Sequence, residues 1–317
     1  MTTKTTKRNA PKRARSSESR YSLMEFEGEF PDDAACMDFL VSKLYPEGIW
    51  CPTCDRVTKH HRVRARTCYA CQFCGHQEYP LVGTIFEGSA TSLRLWFYAM
   101  YLMASTRCGI SAKQLEREVG VSYPTAWRMF HQIRSMLGQD DDAPLSGHVE
   151  MDETLIGGRP RAGQIKSRKD IRRFVEAKAK IVGAVERGGR VHAQVVPSRK
   201  ASTIMPIAKA RVLPASTIYT DELKSYRQLG REGYTHRRIN HTERVYVSGD
   251  VHTQTIEGFW ALLKNGLTGV YHSVSTEHLQ AYLDEYVFRY NNRGIAGHRG
   301  MFDAFLSRIE KAETALP

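Results

Sequence analysis

The stretch His148-Val-Glu-Met-Asp-Glu-Thr-Leu-Ile-Gly-Gly158, followed by Lys180-Ile-Val-Gly-Ala-Val-Glu186 and Arg190-Val-His-Ala-Gln-Val-Val-Pro197, decides the fold class. Each is a short run rich in β-branched and apolar residues, which fits a pleated surface better than a helix. Arg187-Gly-Gly-Arg190 places a glycine pair between the last two runs, so they are expected to form a hairpin. Further on the period changes. A helix is expected over 203–211, a strand over 216–220, and two helices near 255–266 and 276–291. Strands and helices alternating in this way predict a mixed α/β domain spanning residues 145–309.

Upstream of it, Gly138-Gln-Asp-Asp-Asp-Ala-Pro144 is an acidic linker and a domain boundary. Residues 91–140 read as helical, broken at Gly109 and at Gly120-Val121. Residues 21–90 combine a helical lead-in, with Phe39, Leu40, Leu44 and Tyr45 at helical spacing, and a cysteine-rich block. Residues 1–20 are expected to be a basic disordered tail.

The 317 residues carry a net charge of +12, with 41% hydrophobic and 10% aromatic residues. No apolar run approaches the length of a membrane span, and the basic start lacks the apolar stretch of a secretory signal. An intracellular protein with reduced cysteines is therefore expected. The charge is concentrated. Residues 1–20 hold seven basic side chains against one acidic, and residues 159–180 nine against two. Such segments suit a polyanionic partner, although solvated tails and loops have the same composition.

Cys51-Pro-Thr-Cys54 and Cys71-Gln-Phe-Cys74 are two C-x-x-C pairs separated by sixteen residues, a spacing that lets two turns deliver four thiolates to one tetrahedral Zn²⁺. Cys68 also stands three residues before Cys71, but Gly75 after Cys74 suits a tight knuckle, which favours the outer pair. A closed four-thiolate site leaves no open position, so this zinc should be structural. Cys36 and Cys108 are expected to be core residues and not ligands.

From Ile110 to Phe130 the sequence has the form of a DNA-binding helix-turn-helix: a helix capped by Ser111, a turn at Gly120, and a second helix capped by Ser122 with Pro124 in its first turn. Val119, Val121, Ala126, Trp127 and Phe130 are expected to pack, leaving Tyr123, Thr125, Arg128 and His131 for a DNA groove. An ordinary pair of antiparallel helices would look similar.

Three carboxylates remain. Asp152 interrupts an apolar strand, where an unpaired charge is costly. Asp221 follows a strand at its carboxyl end, where α/β proteins collect ligand groups. Glu257 lies on a helix whose packed stripe is Ile256, Trp260, Leu263 and Leu267, and Lys264 follows seven residues later on nearly the same face. His252, just before that helix, has no assigned role.

Asp152, Asp221 and Glu257, in strand, strand-end and helix order with 35 residues between the last two, resemble the acidic triad of DDE transposases. Val251-His-Thr-Gln-Thr-Ile-Glu-Gly-Phe-Trp-Ala-Leu-Leu-Lys264, Gly269-Val-Tyr-His-Ser-Val-Ser275, His278-Leu-Gln-Ala-Tyr-Leu-Asp-Glu285, Phe288-Arg-Tyr-Asn-Asn-Arg293, Trp50-Cys-Pro-Thr-Cys54, Gly83-Thr-Ile-Phe86 and Met151-Asp-Glu-Thr-Leu-Ile-Gly-Gly158 resemble the zinc-ribbon group of prokaryotic insertion-sequence transposases. Some of that group carry Asn where Glu257 stands, and Cys68 is a departure from the pattern. The resemblance implies a ribonuclease H-like catalytic domain whose triad holds two Mg²⁺ or Mn²⁺ ions. It also implies cleavage and strand transfer of double-stranded DNA at the element's terminal repeats, by a homodimer or higher multimer in the prokaryotic cytoplasm at the nucleoid. One ion would activate water and then a DNA 3′-hydroxyl, and the other would stabilise the departing oxygen. Lys264 would contact a phosphate, and Arg168, Lys169, Arg172 and Arg173 in the basic segment would clamp flanking DNA. The alternatives are a non-catalytic DNA-binding regulator, including a domesticated transposase, and a nuclease of the same fold without strand transfer.

Overall fold

The computed structural model describes residues 21–63, 66–138, 143–158, 164, 167–239, 252–295 and 298–311. The basic tail, the acidic centre of the linker and most of the basic segment before residue 167 lie outside the described residues.

The lead-in is two helices, α1 (Leu23–Glu29) and α2 (Asp33–Leu44), and not the single stretch expected. Pro31 cannot continue a helix, and Asp32 caps the second by accepting a bond from the Ala35 amide. Five short strands follow, β1 (Trp50–Cys51), β2 (Arg56–Val57), β3 (His60–Val63), β4 (Cys68–Cys71) and β5 (Gln77–Glu78), paired as a two-stranded ribbon and a three-stranded sheet. Then come α3 (Leu93–Ser105), α4 (Ala112–Val119) and α5 (Tyr123–Leu137). The expected breaks fall between them, with Gly120 in the left-handed conformation at φ 72°.

The second unit contains β6 (His148–Ile156), α6 (Arg168–Ala177), β7 (Ala179–Glu186), β8 (Val191–Val196), α7 (Ala201–Arg211), β9 (Thr217–Thr220), a 3₁₀ segment (Lys224–Glu232), β10 (Thr235–Arg238), α8 (Gln254–Gly269), α9 (Leu279–Asn291) and α10 (Met301–Ser307). Its sheet has the order β10-β9-β6-β7-β8. Strands β6, β7 and β8 are antiparallel in sequence, while β9 runs parallel to β6 and β10 parallel to β9. This is the expected mixed α/β architecture behind a zinc ribbon. Alternation sorts the two faces. Val149, Met151, Val182 and Ala184 pack under α7 and the 3₁₀ segment, and Ile181, Val185, Val191 and Ala193 under α8 and α9.

The two units share buried structure. Helix α10 contributes Phe302, Ala304, Phe305 and Leu306 to the core formed by α1–α5. Glu285 on α9, fully buried, pairs with Arg134 of α5 (2.8 Å) and with Arg289 (2.7 Å). Arg289 also donates to the carbonyls of Met103 and Thr106 at the end of α3 (2.6 and 2.8 Å). The Arg134 guanidinium lies 3.9 Å from the ring centre of Tyr282.

Candidate active site

Parallel pairing of β6 with β9 ends at Glu150–Tyr219, so beyond that point β6 runs past the end of its neighbour. Asp152, Glu153 and the following Asp221 meet at this notch, each offering a carboxylate oxygen within 4.8 Å of the others. Asp152 and Glu153 approach from opposite faces. Asp152 accepts a bond from the Trp260 indole on α8 (3.0 Å), and Glu153 from the Tyr226 hydroxyl of the 3₁₀ segment (3.0 Å). Gly183 stands opposite Asp152 on β7, and a Cβ there would lie 2.6 Å from the Trp260 ring, so glycine makes room for the indole to reach the carboxylate. Asp221 is held by donation from the Leu223 amide (2.9 Å).

Burial, then repulsion from Asp221 and Glu257, pushes the Asp152 carboxyl up to about 6, against the lowering bonds from the Glu153 amide and Trp260. Burial followed by repulsion from Asp221 and Asp152 pushes Glu153 up to about 7, offset in part by Tyr226 and by Arg199 at 3.4 Å. Three carboxylates this close are a poor arrangement for ionised groups alone. Their oxygens suit a hard divalent cation such as Mg²⁺ or Mn²⁺.

Of the three residues singled out by sequence, the structure brings Asp152 and Asp221 together and places Glu257 outside the 4.8 Å cluster. Glu257 is exposed on the first turn of α8, one position from the packed stripe, and its carboxylate accepts from the Thr253 hydroxyl (3.0 Å). Lys264 is exposed on the same helix. Glu153 was missed by sequence reasoning because alternation assigns it to the opposite face from Asp152. The signal that would have found it is the end of β9, which sequence placed correctly without its register.

The sulfur cluster is compact. Cys51 Sγ lies 3.4 Å from Cys74 Sγ, and Cys54 Sγ 3.8 Å from Cys71 Sγ. Zn–S bonds of about 2.3 Å place tetrahedral sulfurs about 3.8 Å apart, so the set fits zinc. A hydrogen bond from the buried Thr58 hydroxyl (3.2 Å), then knuckle amides, bring the Cys71 thiol down to about 5, whereas bonds from the neighbouring cysteines and burial raise Cys54 to about 12. Four sulfurs this close become thiolates together only with a cation between them. Cys68 stays apart, buried and 3.6 Å from the Gln77 side-chain oxygen.

Residues 144–291 match the model of the ISXO2-like transposase domain, and residues 31–77 that of the transposase zinc-ribbon domain. The chain is 31% identical over 277 residues to an uncharacterised protein of transposable element ISH50 from Halobacterium salinarum, covering 82% of this chain and 91% of that protein. The chain belongs to the ISXO2-like transposase family. A shorter relative is an uncharacterised transposase-like protein of Haemophilus influenzae, 33% identical over 106 residues, which are 33% of this chain and 85% of that one.

Membership of a transposase family implies a DNA partner, and the residues expected to meet DNA fall into two sets. Arg168, Lys169, Arg172 and Arg173 are exposed on α6, a helix with no buried residue, and Arg172 pairs with Glu176 (2.9 Å). On α5 the expectation needs correction. Trp127 is 37% exposed, and Met129 takes the packed position beside Ala126 and Phe130. His131 is half-buried, its ring centre 3.8 Å from that of Trp127 in a tilted contact and 4.6 Å from that of His278 in an edge-on one, and burial followed by the charges of His278 and Arg134 lowers it to about 4. Arg128 turns back to Ser89 (3.3 Å). Tyr123 is exposed and Thr125 half-buried, its hydroxyl bonded to Ser122, which leaves the second helix without the expected side-chain cap. No helix among the described residues is long and apolar enough to cross a membrane.

Proposed function

We propose that the chain is a DNA transposase that cleaves the ends of its own insertion element and joins them to target DNA. What supports this reading best is the meeting of Asp152 and Asp221, 69 residues apart in sequence, at a strand-end notch beside the helix that carries Glu257. The strand order, with three antiparallel strands and two parallel ones added beside the first, supports a ribonuclease H-like catalytic domain. Asp152, Asp221 and Glu257 would hold two Mg²⁺ or Mn²⁺ ions, which when bound supply the Lewis acidity for in-line phosphoryl displacement. The protein contributes position. Trp260 orients Asp152, and the Leu223 amide orients Asp221. Cys51, Cys54, Cys71 and Cys74 would hold one structural Zn²⁺. Tyr123, Thr125, Arg128 and the α6 basic residues would bind double-stranded DNA, with Lys264 on a phosphate near the cut, in a homodimer or higher multimer at the prokaryotic nucleoid. The proximity of Glu153 favours a second reading, in which it and not Glu257 completes the ligand set.

The test is nicking and joining of a labelled duplex carrying the element's end, run beside a gel shift. Asp152→Asn, Asp221→Asn and Glu257→Gln should each reduce cleavage by orders of magnitude and leave DNA binding intact, and cleavage should require Mg²⁺ or Mn²⁺. Near-normal cleavage by all three would eliminate the catalytic assignment in favour of a DNA-binding regulator. Loss in Glu153→Gln with full activity in Glu257→Gln would establish the second reading.

A further inference from the structure

Helix α8 begins in an unusual way. Its N-cap residue Thr253 makes no side-chain cap bond to the helix. A threonine in this place ordinarily accepts from the amides two or three positions on. Here those amides, Thr255 and Ile256, donate instead to Oε2 of Glu150 on β6, at 2.8 and 3.0 Å. Glu150 is fully buried, and its Oε1 accepts from the Thr255 hydroxyl (3.0 Å) and from Arg187 (2.8 Å). Arg187 in turn donates to the His252 carbonyl (2.7 Å) and lies over the Tyr219 ring at 4.1 Å. His252 Nδ1 stands 3.2 Å from the same Glu150 oxygen. A carboxylate from another strand therefore caps the helix and complements its positive end. Relieved of that task, the Thr253 hydroxyl points to Glu257 and donates to it.

We propose that Glu150 and Thr253 are positioning residues for Glu257: Glu150 caps α8 from the strand that carries Asp152, and Thr253, thereby released, orients the Glu257 carboxylate toward the metal. The inference rests on the proposed catalytic role of Glu257. Glu150 and Asp152 are two residues apart on one strand and face α8 together, so the cap at Glu150 and the Trp260 bond to Asp152 fix α8 against β6 at two levels, about one turn apart. Glu257 lies between those levels. Its reach to an ion at Asp152 is then set by strand β6.

The experiment uses the full zinc-loaded chain and Mn²⁺ as probe, with bound Mn²⁺ followed by electron paramagnetic resonance and cleavage measured at a series of Mn²⁺ concentrations. Glu150→Gln turns one acceptor oxygen into a donor that must face either Arg187 or the helix amides. It should weaken Mn²⁺ binding roughly 10- to 100-fold, the range seen when groups orienting a metal ligand are removed, with DNA binding unchanged. Thr253→Val, which removes only the hydroxyl, should move the Mn²⁺ midpoint in the same direction, and Thr253→Ser should restore it. Glu257→Gln in parallel tests the underlying reading, since full cleavage by that variant removes it whatever the others do. If Glu257→Gln is inactive while folded Glu150→Gln binds Mn²⁺ and cleaves like the unaltered chain, the positioning role is overturned. Should Glu150→Gln fail to fold, the threonine pair decides, and equal Mn²⁺ affinity in Thr253→Val and Thr253→Ser overturns the proposal.

Discussion

The sulfur cluster and the carboxylate cluster are built by opposite means. Cys51, Cys54, Cys71 and Cys74 come from two turns within 24 residues of sequence, and their geometry depends on local backbone, such as the left-handed Gly75 (φ 76°) after the second knuckle. Asp152 comes from one strand of a sheet, Asp221 from just beyond the end of another, and Glu257 from a helix packed over it. Their separations are set by register, by the space at Gly183 and by the Trp260 bond. Four soft ligands closing on one ion leave nothing for a substrate, whereas oxygens at an open notch do. A site that holds its own fold together can be local, while one that must leave room for a substrate is assembled by the whole domain.

The largest expected effect separates the two directly. Cys51→Ser or Cys74→Ser should release the zinc and unfold the ribbon, since structural zinc sites contribute about 10 kcal/mol or more to their modules. Cys68→Ser should keep the metal, as measured by zinc content and by protease resistance of residues 31–77. Zinc lost with Cys68→Ser and kept with Cys74→Ser would reverse the ligand assignment.

A smaller effect comes from pH. Asp152 and Glu153 are raised in the folded chain to about 6 and about 7, so the stability they contribute is fully present below their unfolded values near 4 and is lost as pH rises through 6 to 7. A divalent cation binds the ionised groups and should offset that loss. Saturating Mn²⁺ should therefore raise the melting temperature more at pH 8 than at pH 5.5, by on the order of a few degrees. Asp152→Asn should shrink the difference. The zinc site has the opposite sense, because acid protonates thiolates and releases the metal. An Mn²⁺ effect independent of pH would show that the ion binds elsewhere.

The same contrast governs what was legible in the sequence. The four sulfur ligands could be read from spacing because their site is made of spacing. The strands over 148–156, 179–186 and 191–196 could be read from their runs of β-branched and apolar residues, and the break between α4 and α5 from Gly120. What escaped was set by packing across distance. Trp127 looks like a core residue by type, yet His131 and His278 take it up at the surface. Glu150 is one acidic residue among many until α8 is brought against it, and Glu153 enters the cluster only because β9 stops short. Helix α6 buries none of its residues, and its short apolar set Ile171, Phe174 and Val175 is passed over within a basic run.

The buried pairing of Glu285 with Arg134 and Arg289 has a consequence for DNA. It ties α5 to α9, which packs on the sheet bearing the carboxylates, so on the proposed function the helix offered to DNA and the cluster that would cut it are joined through buried structure. On that proposed function the protein would work as a gauge, in which the interval between recognised base pairs and the severed phosphodiester is a length written in protein and not in DNA. Inserting one base pair between them displaces the original cut site by roughly 3.4 Å and about a tenth of a turn. Mapping the nick on such a duplex should show that it has moved to a new nucleotide at the old distance from the recognised sequence. A nick that stays with its original nucleotide would mean that the two halves flex, and that the arginines of this joint hold the chain together without measuring anything.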